Sequence, residues 1–361
     1  MAIFKDTFSL LKKYYIPIGL FFTTLFLLVS FIAPLIFTQP AFTDNLDFTN
    51  KGAIGDTIGG LMNPFIAISA SILTFMAFYI QYKANQEVQK QFKIQQFESQ
   101  FYEMLRLHKE NVNEVSVSET KTIIKGIRNP QSNLISTNGR KAFEELDKEL
   151  KLIYDTIKRI LKKEKKQKLE PNKILNKAYH IFFFGLYSNQ NGLKFDLKKI
   201  NNESIKEEDK EIDHKIYDSV RSEANKSHKD LFTGNSTYLA HLYRHLYLSV
   251  KFVAKQDEIF LPYEEKRKYL RILRAQLSNP EQALLFYNWR SGFGSQWEQP
   301  DEKGKDNTSK NKFFTDYRMI HNLYNGILYE DFKLETIEEF KRNFKTEENR
   351  DFDPLFESEE W

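Results

Sequence analysis

Two histidines placed four residues apart are the first candidates for chemistry in this chain. His241 and His245 lie in a segment predicted to be helical, so their imidazoles share one face, as the ligands of a zinc ion would. Leu242 takes the position where a metalloprotease helix carries its glutamate, and no third ligand can be nominated. We therefore predict no metal and no cofactor here. Arg244 stands beside them, and this tyrosine- and histidine-rich face is predicted to serve packing or recognition.

An arginine and a histidine form a second candidate pair. Arg221 and His228 are separated by six residues, a spacing that resembles the R-x4–6-H pattern of the HEPN ribonucleases. In such a pair the histidine acts as general base on a ribose hydroxyl while the arginine stabilises the phosphate. The pattern is short and occurs often by chance. RNA is therefore a partner only under a ribonuclease alternative.

Composition excludes several classes of function. The 361 residues include no cysteine, so disulfides, thiolate catalysis and cysteine-ligated zinc are excluded. A net charge of +4 is too small in a chain of this length to indicate nucleic-acid binding by itself. The chain also contains no Walker-type glycine loop and no G-x-S-x-G motif.

Two apolar stretches, 16–37 and 58–79, are long enough to cross a bilayer. A cleaved signal peptide is the alternative for the first, but its apolar part is longer than usual and a second span follows closely. Lysines flank the pair on both outer sides, whereas the intervening loop is mainly acidic. The lysine bias predicts a two-pass hairpin with both termini in the cytoplasm.

The second span combines small and polar residues. Small side chains four apart allow close helix approach in lipid, and a proline predicts a kink. Two interpretations stay open: this face packs against the first span, or it lines a water-filled gap between protomers of a homo-oligomer. The residues concerned are Asp56, Gly59, Gly60, Asn63, Pro64, Ala67 and Ser71.

The second span continues without a helix stop, and we predict one long helix that leaves the bilayer as a stalk. The expected organisation is a cytoplasmic N-terminus (1–15), the hairpin (16–82), the stalk (83–111), a cytosolic domain (112–345) and an acidic tail (346–361). Periodicity predicts an all-α domain in which residues 111–138 and 189–213 are loops. Its expected helices cover 140–163, 172–188, 237–255, 264–277, 279–290, 313–329 and 336–344.

Two charged segments have open interpretations. A basic run from Lys158 to Lys168 is typical of a solvated helix end, although anionic headgroups or nucleic acid would also suit it. The tail after Thr346 carries seven acids interleaved with apolar residues. It is either a solvated end or a docking peptide.

Three segments in order resemble the AbiC-like family of phage abortive infection proteins: the span-to-stalk run from GDTIGGLMNPF to FYEML, then YLAHLYRHLYLSVKFV and YLRILRAQLSNPEQALLFYNW. The resemblance covers roughly 55–330. It implies bacterial phage defence, in which an infected cell stops growing or dies before phage release. It brings no catalytic motif. The positions that it marks are Arg244, His245, Tyr247, Arg274, Gln276, Leu277, Ser278 and Glu281, and we add Arg244, His245, Tyr247 and Arg274 to the predicted recognition residues.

The sequence leaves three mechanisms open. In the first, which we favour, the cytosolic domain senses infection through a phage-derived trigger or a co-encoded component, and the hairpins oligomerise and impair the membrane. In the second, the hairpin tethers a HEPN-like ribonuclease. In the third, the chain is a membrane-tethered adaptor.

Overall fold

The computed structural model describes residues 2–37, 52–124, 130–164, 170–186, 207–227, 234–299, 310–333 and 355–356. The chain divides into two compact units, Met1–Ser99 and Gln100–Trp361. Both are mainly helical, and a single pair of strands is the only sheet in the described residues. The predicted all-α class is confirmed.

The first unit contains two long helices that pack side by side. Helix α1 covers Ala2–Phe37 and helix α2 begins at Gly52. The Ser30 hydroxyl lies 3.5 Å from the Met62 carbonyl oxygen, and a Cβ atom on Gly19 would lie 2.3 Å from the Met76 sulfur. Because the residue numbers on α2 fall as those on α1 rise, the two helices are antiparallel. The side chains buried along this seam are mostly small: Thr23, Ser30, Ala33, Ser69 and Met76.

The small-residue face of α2 does not pack against α1. Its members are all exposed, and a Cβ atom added to Gly59 or Gly60 would meet nothing within 4 Å. At 100° per residue they lie on the side of α2 opposite to the seam residues Phe65, Ser69 and Met76. The first of the two interpretations therefore fails. The exposed residues are Asp56, Gly59, Gly60, Asn63, Pro64, Ala67, Ala70, Ser71 and Thr74.

Helix α2 runs without interruption from Gly52 to Glu114, through Pro64 and through the whole predicted stalk. Every residue from Gln81 to Lys93 is exposed. The expected boundary at 111 is slightly early, and the compact second unit already includes the helix from Gln100 onward. There Phe101 is fully buried, with its ring edge-on to Tyr269 at 5.2 Å.

Residues 116–138 were predicted to be a loop, and this prediction is wrong. Strands β1 (Ser116–Ile124) and β2 (Pro130–Asn138) form an antiparallel pair in which Ser116 is opposite Asn138 and Ile124 is opposite Pro130. Threonine and isoleucine favour an extended backbone. The signal was hidden because polar residues follow one another on both strands, so that no apolar alternation appears.

In the described residues, six helices build the second unit together with the end of α2. Five agree with prediction within a few residues, whereas the helix at Glu207–Ser227 was not predicted, and its first residues, 207–213, lie in a segment that was wrongly expected to be a loop. Helix α8 begins at the expected capping box, in which the Ser278 N–H donates to the Glu281 carboxylate at 2.5 Å. The bounds are α3 Arg140–Glu164, α4 Pro171–Phe184, α5 Glu207–Ser227, α6 Ser236–Ala254, α7 Tyr263–Arg274 and α8 Asn279–Arg290, with a 3-10 turn at Glu330–Phe332.

The helix predicted over 313–329 does not form. Its large apolar residues are buried on all sides instead of on one face, among them Phe313, Phe314 and Ile320. Arg318 has a φ of 58°, which interrupts any right-handed helix. The predicted helix over 336–344 lies outside the described residues.

The acidic tail is described only at Leu355 and Phe356, and both are buried. The Leu355 carbonyl lies 3.2 Å from Nδ1 of His321. This part of the tail is therefore docked on the second unit and is not a solvated end.

Candidate functional site

The second unit carries a surface pocket of about 250 Å³. Helix α6 contributes four of the lining residues, and the loop that follows α8 contributes four more. The lining residues are Phe183, Ala240, Tyr243, Arg244, Tyr247, Asn288, Phe293, Gly294, Gln296 and Trp297.

Aromatic side chains form most of this wall and hold one another in place. Tyr247 meets Trp297 edge-on at 5.6 Å, and Trp297 stacks on Phe314 at 5.7 Å. The Tyr247 hydroxyl accepts a hydrogen bond from the Asn311 amide at 3.0 Å. The rings therefore have fixed positions, and little rotamer freedom is lost when a ligand packs on them.

A buried glutamate fixes the chain behind the wall. The Glu298 carboxylate accepts bonds from the backbone N–H groups of Phe314 and Thr315 at 2.9 and 3.2 Å and from the Thr315 hydroxyl at 2.6 Å. Burial raises the pKa of Glu298 to about 8, against the opposing effect of these donors. This network anchors the backbone at the start of the 313–329 segment.

Gly294 lets the loop after α8 fold back onto its own helix. A Cβ atom at this position would lie 2.1 Å from the Asn288 side-chain oxygen and 3.1 Å from a carbon atom of the Trp297 ring. The Gly294 N–H donates to the Asn288 carbonyl at 2.9 Å. The close approach brings Phe293 and Trp297 to the pocket, and it requires glycine.

Two cations stand beside the aromatic wall without acidic neighbours on their own helix. Arg244 is exposed and makes no hydrogen bond or ion pair with any residue that the structure describes. The Lys251 ammonium lies 5.6 Å from the centre of the Tyr247 ring. Helix α6 contains no Asp or Glu at all, whereas the next helix pairs its lysines with glutamates, as in Lys266 with Glu258 at 2.8 Å. This face of α6 therefore attracts an anion.

The two predicted histidines do not share the pocket. His241 is exposed, and neither histidine lines the cavity. His245 instead stacks on His108 of α2, with 6.3 Å between ring centres and 11° between planes. Burial, then the neighbouring His245 and Arg140, lower the pKa of His108 to about 4. Neither ring nitrogen of His108 has a hydrogen-bond partner in the described part of the chain. In that part, no group of three potential ligands could hold a metal ion.

The remaining predicted site residues are scattered. Arg274 is buried, and its guanidinium donates to the Arg318 carbonyl at 3.2 Å, so it supports the fold behind the surface. Arg221 lies exposed on α5, and His228 is outside the described residues. Of the predicted recognition residues, the pocket contains Arg244 and Tyr247.

Sequence reasoning missed most of the aromatic wall. Phe183 lies on α4, whereas Phe293 and Trp297 lie in the loop after α8, and only the fold brings the two segments together. The one available signal was Gly292-Phe293-Gly294, in which an aromatic residue stands between two glycines after a helix. The motif is too short for a phosphate-binding loop, so it indicated no ligand.

Comparison with known proteins gives one match. A family model described as "Putative phage abortive infection protein" matches residues 234–327. No curated protein and no solved structure matches the chain. Nine of the ten pocket residues, all except Phe183, lie inside the matched segment. The predicted resemblance is confirmed over residues 234–327, and this match supports a role for the protein in phage defence.

Proposed function

We propose that this protein is a membrane-anchored effector of abortive infection. The second unit senses infection in the cytoplasm, and the α1–α2 hairpins assemble in the inner membrane and impair it. Helices α1 and α2 are long and apolar enough to span a bilayer. The lysines outside the two spans favour cytoplasmic termini. A phage-derived molecule or a co-encoded defence component is the expected trigger.

The observation that carries the membrane mechanism is the free small-residue face of α2. Lipid gives no hydrophobic driving force between helices, so close packing of small residues drives their association. The face is opposite to the α1 seam and is therefore available to a second copy of the chain. Asp56 and Asn63 lie on it. Copies that pack through this face would place polar groups along a shared path through the bilayer.

The continuous helix α2 supports coupling between sensing and execution. The same helix supplies the second span and, from Gln100, part of the compact second unit. A rigid helix transmits a rotation or a displacement, whereas a flexible linker does not.

The variant Gln89→Pro distinguishes the membrane-effector mechanism from the tethered-ribonuclease mechanism. Position 89 is exposed on α2, beyond the second span, and proline there costs about 3 kcal/mol and kinks the helix. We expect normal expression and insertion but loss of phage protection, with Gln89→Ala protecting as the wild type does. Membrane potential and total RNA are followed in the same infected cells.

The effector proposal predicts early depolarisation with intact RNA in wild-type cells, and unchanged depolarisation after Arg221→Ala with His228→Ala. If RNA is degraded first and Gln89→Pro protects fully, the tethered ribonuclease is the better account. If neither membrane potential nor RNA changes while cells still resist, the adaptor is the better account.

A further inference from the structure

We infer that the α6 pocket binds a nucleotide, with the base against the aromatic wall and the phosphate at Arg244 and Lys251. This inference rests on the proposed function, because it gives the chemical class of the molecule that the second unit senses. It concerns residues 240–297, which belong to one compact unit.

The charge pattern of α6 selects an anion. Arg244 lines the pocket and Lys251 lies two helical turns further along the same face, beside the Tyr247 ring. Neither has an acidic partner among the residues that the structure describes. A guanidinium and an ammonium without counter-charges offer several donors to phosphate oxygens, and such charge-assisted bonds are the strong ones.

The aromatic wall selects a planar group. Phe293 keeps 37% of its surface exposed, although it contacts Phe183 with 5.8 Å between ring centres. A stacked base would cover this exposed ring surface. Every base presents such a face, so the wall alone does not choose among bases.

An exposed amide gives the pocket a group that can contact a base edge. Gln296 lines the cavity, is exposed, and its side chain makes no hydrogen bond in the described part of the chain. A side-chain amide carries both a donor and an acceptor, which matches the paired groups on a base edge. A cavity of about 250 Å³ is near the lower limit of small-molecule sites and suits one nucleotide better than an extended peptide.

Free mononucleotides and the ends of single-stranded nucleic acids offer the same chemistry. The test uses the full chain in detergent micelles and equilibrium dialysis against radiolabelled AMP, GMP, CMP and UMP, and separately against short single-stranded RNA and DNA. We expect saturable binding of one nucleotide per chain that weakens with added salt. Binding by mononucleotides assigns the free molecule, and binding only by oligonucleotides assigns a strand end.

Variants define the site. Arg244→Gln should weaken binding by about tenfold or more, and Tyr247→Leu by about fivefold or more. Lys162→Gln, which removes an exposed cation at the end of α3, is the matched control and should bind as the wild type does. Circular dichroism and the unfolding midpoint establish that each variant is folded.

Three results would overturn the inference: no saturable binding of any nucleotide, unchanged binding by Arg244→Gln, or displacement of the nucleotide by an acidic aromatic peptide at lower concentration. Phage protection by Arg244→Gln is measured separately. Lost protection without nucleotide binding would reject the ligand class and leave the proposed function standing. Normal protection with lost binding would confirm the ligand and reject its role as the trigger.

Discussion

Phenylalanine occupies opposite places in the two units of this chain. In the first unit Phe21, Phe31 and Phe75 keep 63%, 71% and 71% of their surface exposed. In the second unit Phe143 and Phe314 are fully buried. For a protein in water, burial of a phenylalanine side chain gains about 1.5–3 kcal/mol, so the same solvent does not explain both the exposed and the buried phenylalanines. The comparison supports the proposal that the hairpin lies in lipid and the second unit in water.

The burial of polar side chains can also be compared between the two units. The seam between α1 and α2 buries Thr23, Ser30 and Ser69. Each hydroxyl has a backbone carbonyl within reach, such as Gly19 for Thr23 at 2.8 Å, so burial leaves no donor unsatisfied. In the second unit the buried stripe of α3 is formed mainly by apolar residues, and its lysines face solvent.

The largest expected effect separates two leucines on one helix of the second unit. Leu246 is 2% exposed and Leu248 is 51% exposed, and both lie on α6. Leu246→Ala should lower the free energy of unfolding by about 2–5 kcal/mol, whereas Leu248→Ala should change it by about 0.5 kcal/mol or less. Denaturant titration in micelles measures both.

Tryptophan fluorescence is the suitable signal, because all three tryptophans lie beyond residue 288 and report on the second unit alone. Equal losses in the free energy of unfolding for the two variants would mean that α6 does not bury the face that contains Leu246. The difference in side-chain burial between the two units would then be smaller.

A smaller effect concerns the buried histidine. Because burial and its neighbours lower the pKa of His108 to about 4, the folded chain disfavours the proton that the unfolded chain takes up near pH 6.5. Stability should therefore be fully present above pH 6.5 and fall as the pH drops toward 4. The groups that face His108 are His245 on α6 and Arg140 on α3, and both disfavour the added charge.

Between pH 7 and pH 5 the loss attributable to His108 should be about 2 kcal/mol. His108→Phe keeps a ring against His245 and removes the titrating group, so its stability should depend less on pH over this range. The same slope in both proteins would assign the pH dependence to other groups.

Sequence reasoning predicted the helices whose signals are local. The capping box at Ser278 and Glu281 defined the start of α8, and the leucine stripe defined α6. The prediction of a helix over 313–329 was wrong. There the Glu298 carboxylate, which lies outside the segment, binds the backbone N–H groups of Phe314 and Thr315. Sequence reasoning also failed at 116–138, where polar residues on both strands remove the usual alternation.

Only part of the candidate site was predictable from the sequence, because the rest depends on contacts between residues that are distant in sequence. Arg244 and Tyr247 stand one turn apart on a strong helix, so sequence placed them on one face. Arg274 has the same residue type as Arg244 but is buried against the Arg318 carbonyl, which no local pattern indicates. The free face of α2 was visible as a stripe of small residues, but which side packs on α1 depends on the partner helix.

Cysteine labelling in inverted inner-membrane vesicles tests most directly the proposal that lipid covers the hairpin while water surrounds the second unit. The chain has no cysteine, so Phe75→Cys and Leu248→Cys each introduce a single thiol. Phe75 is the more exposed of the two, at 71% against 51%. If lipid covers the hairpin, a water-soluble maleimide should label Leu248→Cys readily and Phe75→Cys only after denaturation. Labelling of Phe75→Cys as fast as Leu248→Cys would contradict the account.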